Sequence, residues 1–185
     1  MEKEISKREK LLLLLKTATN PFSSDEKITD VLNIFKNSSN FDGLNHLILL
    51  DDYFKDDSIF FLTEDEAILE AKKAVSENNK IGYYYLYLLY LDKDKKYALD
   101  CLLKIIDSSF PRADLAYANH LYNGDIIKKD EKLAFKYYQN AAKYNFKEGY
   151  YGMMLILEKN HHYEEANQVY NEAKKKGIEL PGVVI

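Results

Sequence analysis

Apolar residues recur along most of this chain at intervals of three and four, the spacing that gathers them on one face of an α-helix. In "EDEAILEAKKAVS" the pattern falls on Ala67, Ala71 and Ala74, and in "EKLAFKYYQNAAK" on Ala134, Tyr138 and Ala141. Read through the whole sequence, it predicts ten helices, at roughly 2–18, 24–37, 41–54, 63–78, 82–92, 95–108, 112–123, 130–144, 147–159 and 162–176. Start and stop signals agree with these bounds. Ser24 precedes Asp25 and Glu26, Thr63 stands three residues before Glu66 as in a capping box, and Gly177 follows Lys174, Lys175 and Lys176. Only 7 Gly and 3 Pro punctuate the chain, too few for the frequent turns of an all-β protein.

One stretch departs from the amphipathic pattern. "GYYYLYLLYL", Gly82 to Leu91, is apolar or aromatic all round, yet Asp92, Lys93 and Asp94 close it at about half the length of a membrane span. The run Leu11 to Leu15 likewise stops at Lys16, short of a signal-peptide core. These features predict a cytoplasmic protein without a membrane segment.

Beneath the helices lies a repeat. With Ala67, Ala98, Ala134 and Ala166 as zero, the residues four on are Ala71, Leu102, Tyr138 and Tyr170. Seven on stand Ala74, Ile105, Ala141 and Ala173, and fifteen on stand Gly82, Ala113, Gly149 and Pro181. A fainter copy comprises Ile28, Leu32, Phe35 and Gly43. Offsets of zero, four and seven share a helix face, and the fifteenth residue opens the next helix. A small residue at a fixed place lets the next helix approach closely. Because one helical hairpin cannot bury its apolar face alone, such units stack.

The unit "ADLAYANHLYNGDIIKKDEKLAFKYYQNAAKYN", Ala113 to Asn145, resembles the Sel1-like repeat, a member of the tetratricopeptide-repeat superfamily. Ala113, Gly124, Asp130, Ala134, Tyr138, Ala141 and Ala142 match its pattern, Ile127 and Tyr137 are near substitutes, and Ala118 keeps a small residue in place of a packing glycine. Tyr117, Leu121, Ile126, Leu133, Asn140 and Asn145 depart from it. The resemblance implies an all-α, right-handed α-solenoid of about five antiparallel helical hairpins. Residues 1–62 would form an amino-terminal helical region with one degenerate repeat, 63–180 the repeats, and 181–185 a tail over the last unit, all in one continuous domain.

In that family the first helix of each hairpin divides into a core face and a face lining a concave groove. Carried onto this sequence, Leu86, Tyr87, Tyr90, Tyr117, Ala118, Leu121, Met153, Met154 and Leu157 are core. The groove face holds Tyr84, Leu88 and Leu91, then Leu115, Asn119 and Tyr122, then Tyr151, Leu155 and Glu158, with Arg112 beside them. Tyrosine offers wide, rigid contact area with a polar handle, which suits a binding surface. The expected groove is therefore Tyr84, Leu88, Arg112, Leu115, Asn119, Tyr122, Tyr151 and Leu155. It implies a non-enzymatic module that binds a partner protein or peptide, with a toxin-neutralising immunity protein as the alternative.

Charge and chemistry narrow this further. The net charge of −4 is spread along the chain, and only Arg8 and Arg112 are arginines, so nucleic acid is not the expected partner. The preference for lysine over arginine, with abundant Asn, Ile and Tyr, suggests a bacterial source. Cys101 stands alone, which excludes an intrachain disulfide and the cysteine-rich, β-lactam-linked members of the family. His161 and Glu165 could share a helix face, but a zinc site needs a third protein ligand, and no cofactor or metal is expected. His120 lies beside the expected groove without an evident acidic partner. Asp51, Asp52, Asp56 and Asp57 flank Tyr53 to Lys55 and read as a solvated loop. No phosphate-loop, HExxH or GxSxG motif occurs.

Overall fold

The computed structural model describes residues 43–55 and 62–181. The helices expected at 2–18 and 24–37, the faint repeat at Ile28, Leu32 and Phe35, and the tail from residue 182 lie outside the described residues. Those that are described form α1 (Leu44–Tyr53), α2 (Glu64–Ser76), α3 (Gly82–Tyr90), α4 (Lys95–Leu103), α5 (Pro111–Asn123), α6 (Glu131–Lys143), α7 (Lys147–Lys159) and α8 (Tyr163–Lys175). No strand occurs among the described residues.

The caps written in the sequence are present. Thr63 Oγ1 accepts from the Glu66 amide while Glu66 Oε2 accepts from the Thr63 amide, a reciprocal box at the start of α2. Asp94 and Asp130 cap α4 and α6 through the amides of Tyr97 and Leu133. Gly177 takes a left-handed φ of 74° just beyond α8. Most helices end one to five residues before their expected bounds, α4 and α3 for visible reasons. The chain leaves α4 at Leu103 rather than 108, because Asp107 and Ser109 adopt left-handed conformations and the Asp107 amide turns to Asp114 Oδ1 at 3.1 Å. It leaves α3 at Tyr90, since Lys93 and Asp94 both bond back to the Tyr90 carbonyl as Asp94 begins the next cap.

Two compact units divide the chain after Lys104. In the first, α1 packs on α2, α2 on α3, and α3 on α4. The repeat anchors Ala67, Ala71 and Ala74 are wholly buried, and Gly82 sits on them: a Cβ there would stand 2.7 Å from the Ala71 carbonyl oxygen and 3.1 Å from the Ala74 Cβ. The residue fifteen on from the anchor thus rests on those four and seven on. A buried polar network joins α1 to α2. His46 Nδ1 lies 2.5 Å from Glu70 Oε2, its Nε2 3.3 Å from Glu77 Oε1, Lys73 donates to Glu70 Oε1 at 3.0 Å, and Glu77 Oε2 accepts from the Gly43 amide at 2.8 Å. Asp51 and Asp52 belong to α1 and not to a loop; Asp52 is buried and Asp51 accepts from the Tyr85 hydroxyl. Asp56 and Asp57 lie outside the described residues.

Cys101 is fully buried on α4. Burial pushes its thiol pKa up, and the opposing Tyr97 hydrogen bond and Lys104 charge do not cancel that rise. A thiol needs its thiolate form to react. Cys101 in the native chain is therefore expected to resist a disulfide reagent at neutral pH and to be labelled stoichiometrically in denaturant; rapid native labelling would show that α4 opens readily.

In the second unit α5 packs on α6, α6 on α7, and α7 on α8, with α5 also meeting α7. Ala134 and Ala141 are wholly buried, Tyr138 nearly so. Gly149 rests on them, where a Cβ would stand 2.6 Å from the Ala142 nitrogen and 2.7 Å from the Tyr138 carbonyl oxygen. One turn on, Gly152 lies flat against the Tyr138 ring. The other side of α7 is held to α8 through Tyr150, whose hydroxyl donates to Glu172 at 3.2 Å and accepts from Lys176 at 2.5 Å. In the last repeat copy Tyr170 is half-buried and Pro181 exposed.

A candidate binding face on the first helices

Most of the residues expected in the core of the first helices are buried. Leu86, Tyr87, Tyr117, Ala118, Leu121, Met153 and Met154 are buried, whereas Tyr90 and Leu157 are half-buried. Tyr90 meets Tyr97 edge to face at 4.7 Å. All eight residues of the expected groove keep some exposure. Tyr84 and Leu88 are half-buried on α3, where Tyr84 joins rings with Tyr85 and Tyr87.

The other six belong to the second unit. Arg112 and Asn119 are exposed on α5, Leu115 and Tyr122 half-buried there, Tyr151 is 42% exposed on α7, and Leu155 is half-buried. Spacings of four and three set Leu115, Asn119 and Tyr122 on one face of α5, and Tyr151, Leu155 and Glu158 on one face of α7. The surroundings fix the polar members. Asn119 Oδ1 accepts from the Tyr138 hydroxyl at 2.7 Å. The Tyr122 ring has Lys129 Nζ at 5.2 Å and Lys159 Nζ at 5.7 Å from its centroid. Both lysines pair with Glu131, and their hydrogen bonds hold its carboxyl below the usual range. Tyr122 is thereby clamped in place, which lowers the ordering cost of any contact it makes.

A second concavity lies half a turn around α7. It is an open cleft of about 490 Å³ with Phe135, Ile156 and Leu157 as its apolar lining and Glu131, Lys132, Asn160 and His162 as its polar lining. A smaller one, about 170 Å³, is lined by Asp107, Ser109, Asp114, Asn140, Lys143 and Tyr144. Burial raises the Asp114 pKa, and the bond from the Asp107 amide only partly offsets this. Asp107 in turn accepts from the Tyr137 hydroxyl at 3.0 Å, so these groups hold the turn before α5 in place.

The histidines sit differently from expectation. His120 is 6% exposed, not on the groove surface, and has an acidic partner: its Nδ1 lies 2.7 Å from Asp125 Oδ1. Burial pushes the Asp125 carboxyl up, but the His120 bond and the Ile126 amide outweigh it and leave the pKa lowered. His120 is the seventh residue after Ala113, as Leu89 is after Gly82 and Ile156 after Gly149; all three are buried. A polar ring in that apolar column needs a partner, and Asp125 provides it. His161 does not pair with Glu165. His161 Nδ1 meets the Tyr163 hydroxyl at 3.0 Å, while Glu165 pairs with His162 at 3.2 Å. Among the described residues no cluster of three or more His, Cys, Asp or Glu is arranged to hold a metal, and no helix is long and apolar enough to cross a membrane.

No protein-family model matches the sequence. No curated protein matches it either. Among solved structures, the chain is similar to a Sel1 repeat protein from Oxalobacter formigenes, with a TM-score of 0.70 and 21% sequence identity over 91% of this chain and 69% of that one. The likeness establishes the fold: an all-α solenoid of Sel1-like helical repeats.

Proposed function

We propose that the chain is a non-enzymatic interaction module whose second unit binds a peptide segment of a partner protein along the exposed face of α5 and α7. The observation that carries this reading is the stripe itself. Tyr122, Tyr151, Leu115 and Leu155 leave aromatic and aliphatic surface open on two helices that touch, while Tyr117, Leu121, Tyr150, Met153 and Met154 on the same helices are buried. Fold alone does not assign a function, so the reading rests on this surface.

Exposed side chains contribute little to stability, but central aromatics dominate interfaces. Tyr151→Ala is expected to leave helicity and melting temperature nearly unchanged. It should weaken binding of peptides selected on the wild-type chain from a random displayed library by about thirtyfold or more, since truncating an interface hot spot costs upward of about 2 kcal/mol. Equal binding by both forms would remove Tyr151 from the interface.

A further inference from the structure

We propose that the partner segment presents a lysine or arginine to Glu158, at the end of the α7 stripe; this deepens the reading above and rests on it. Tyr151, Leu155 and Glu158 follow one another at intervals of four and three on one helical face. Glu158 is half-buried, and its Oε1 is shielded from solvent with no hydrogen-bond donor, a situation found for no other side-chain nitrogen or oxygen among the described residues. Its other oxygen likewise has no donor from the protein but reaches solvent.

Other buried acids here are satisfied. Glu70 is met by His46 and Lys73, and Asp114 by the Asp107 amide. A partly dehydrated carboxylate without a donor costs free energy that a charge-assisted hydrogen bond would recover. The neighbouring cations are committed elsewhere: Lys159 and Lys129 to Glu131, and His162 to Glu165. The donor that fits is therefore a cation brought by the partner, which meets the carboxylate at its solvent-facing oxygen. The half-exposed Tyr151 ring on the same face suits the alkyl stem or guanidinium plane of such a residue, and the net charge of −4 favours a basic segment.

The test uses the full chain and a random displayed peptide library, with Glu158→Gln as a near-isosteric neutral control checked for unchanged helicity. The expected result is enrichment of peptides with Lys or Arg beside an aliphatic or aromatic residue. Binding of an enriched peptide should weaken about tenfold with Glu158→Gln, a change of about 1.4 kcal/mol. Replacing the peptide's cation by methionine should cost a similar amount, and the two changes together little more than either alone. Peptides that lose binding with Tyr151→Ala, yet show no basic bias and bind Glu158→Gln as well as wild type, would overturn this inference and leave the interaction face standing. Peptides indifferent to Tyr151→Ala, or a library yielding none, would overturn both.

Discussion

Replacing Gly149 by alanine is expected to destabilise the second unit by about 3 kcal/mol, lowering the melting temperature by about 9 °C. Glycine to alanine inside a helix ordinarily gains up to about 1 kcal/mol in backbone entropy, so the sign here depends on space. The added Cβ would meet backbone atoms of α6, the Ala142 nitrogen at 2.6 Å and the Tyr138 carbonyl oxygen at 2.7 Å. Neither can rotate away. Helix α7 must move off α6, which also opens the contact between Gly152 and the Tyr138 ring, and overpacking outweighs the entropy gained. Gly177→Ala provides the contrast. Nothing lies within 4 Å of its Cβ position, and only the left-handed φ of 74° opposes the change, at about 1 kcal/mol. Urea unfolding followed by circular dichroism measures both. Equal effects, or a neutral Gly149→Ala, would show that α6 and α7 do not meet backbone to backbone.

The second large effect concerns Glu70, 1% exposed and joined to His46 and Lys73. Glu70→Ala is expected to cost about 3 kcal/mol at neutral pH, because it leaves the His46 ring and Lys73 ammonium without their carboxylate. The same group gives the first unit an acid dependence. Burial raises the Glu70 pKa, but the hydrogen bonds from His46 and Lys73 outweigh it and leave the pKa below its ordinary value of 4.5. A carboxyl whose folded pKa is depressed stabilises the fold fully above its unfolded pKa, and that contribution disappears as pH falls through the folded value. Glu70→Gln should accordingly differ most from wild type at neutral pH, with the gap narrowing below the unfolded value near 4.5. A gap that stays constant across the acid range would mean that Glu70 is not ionised in the native protein.

The repeat was legible because its constraint is steric. Gly82 and Gly149 meet the backbone of the preceding helix, where a Cβ does not fit, and the anchors Ala67 and Ala134 are wholly buried, so the spacing is written in the sequence. The tyrosine stretch was legible only in part. A first helix lies between two neighbours and buries more than one face, so Tyr85 and Leu89 are core as well as Leu86 and Tyr87. Tyrosine serves on either kind of surface, and a run of it carries no apolar contrast to separate them. The burial of His120 could not be read from its own helix, because the partner that permits it, Asp125, comes from the turn after α5. Likewise, the clamp on Tyr122 depends on Lys129 and Lys159 converging on Glu131, a meeting of three segments that spacing along one helix does not reveal.

The most direct test of the interaction face is site-specific photocrosslinking with a library-selected peptide, placing benzoylphenylalanine at Leu155 in one chain and at Leu157 in another. Leu155 lies on the face shared with Tyr151, and Leu157 lines the cleft on the far side of α7. A covalent adduct is expected from Leu155→benzoylphenylalanine and none from Leu157→benzoylphenylalanine. An adduct from the Leu157 position alone would place the partner in the opposite cleft and contradict this expectation.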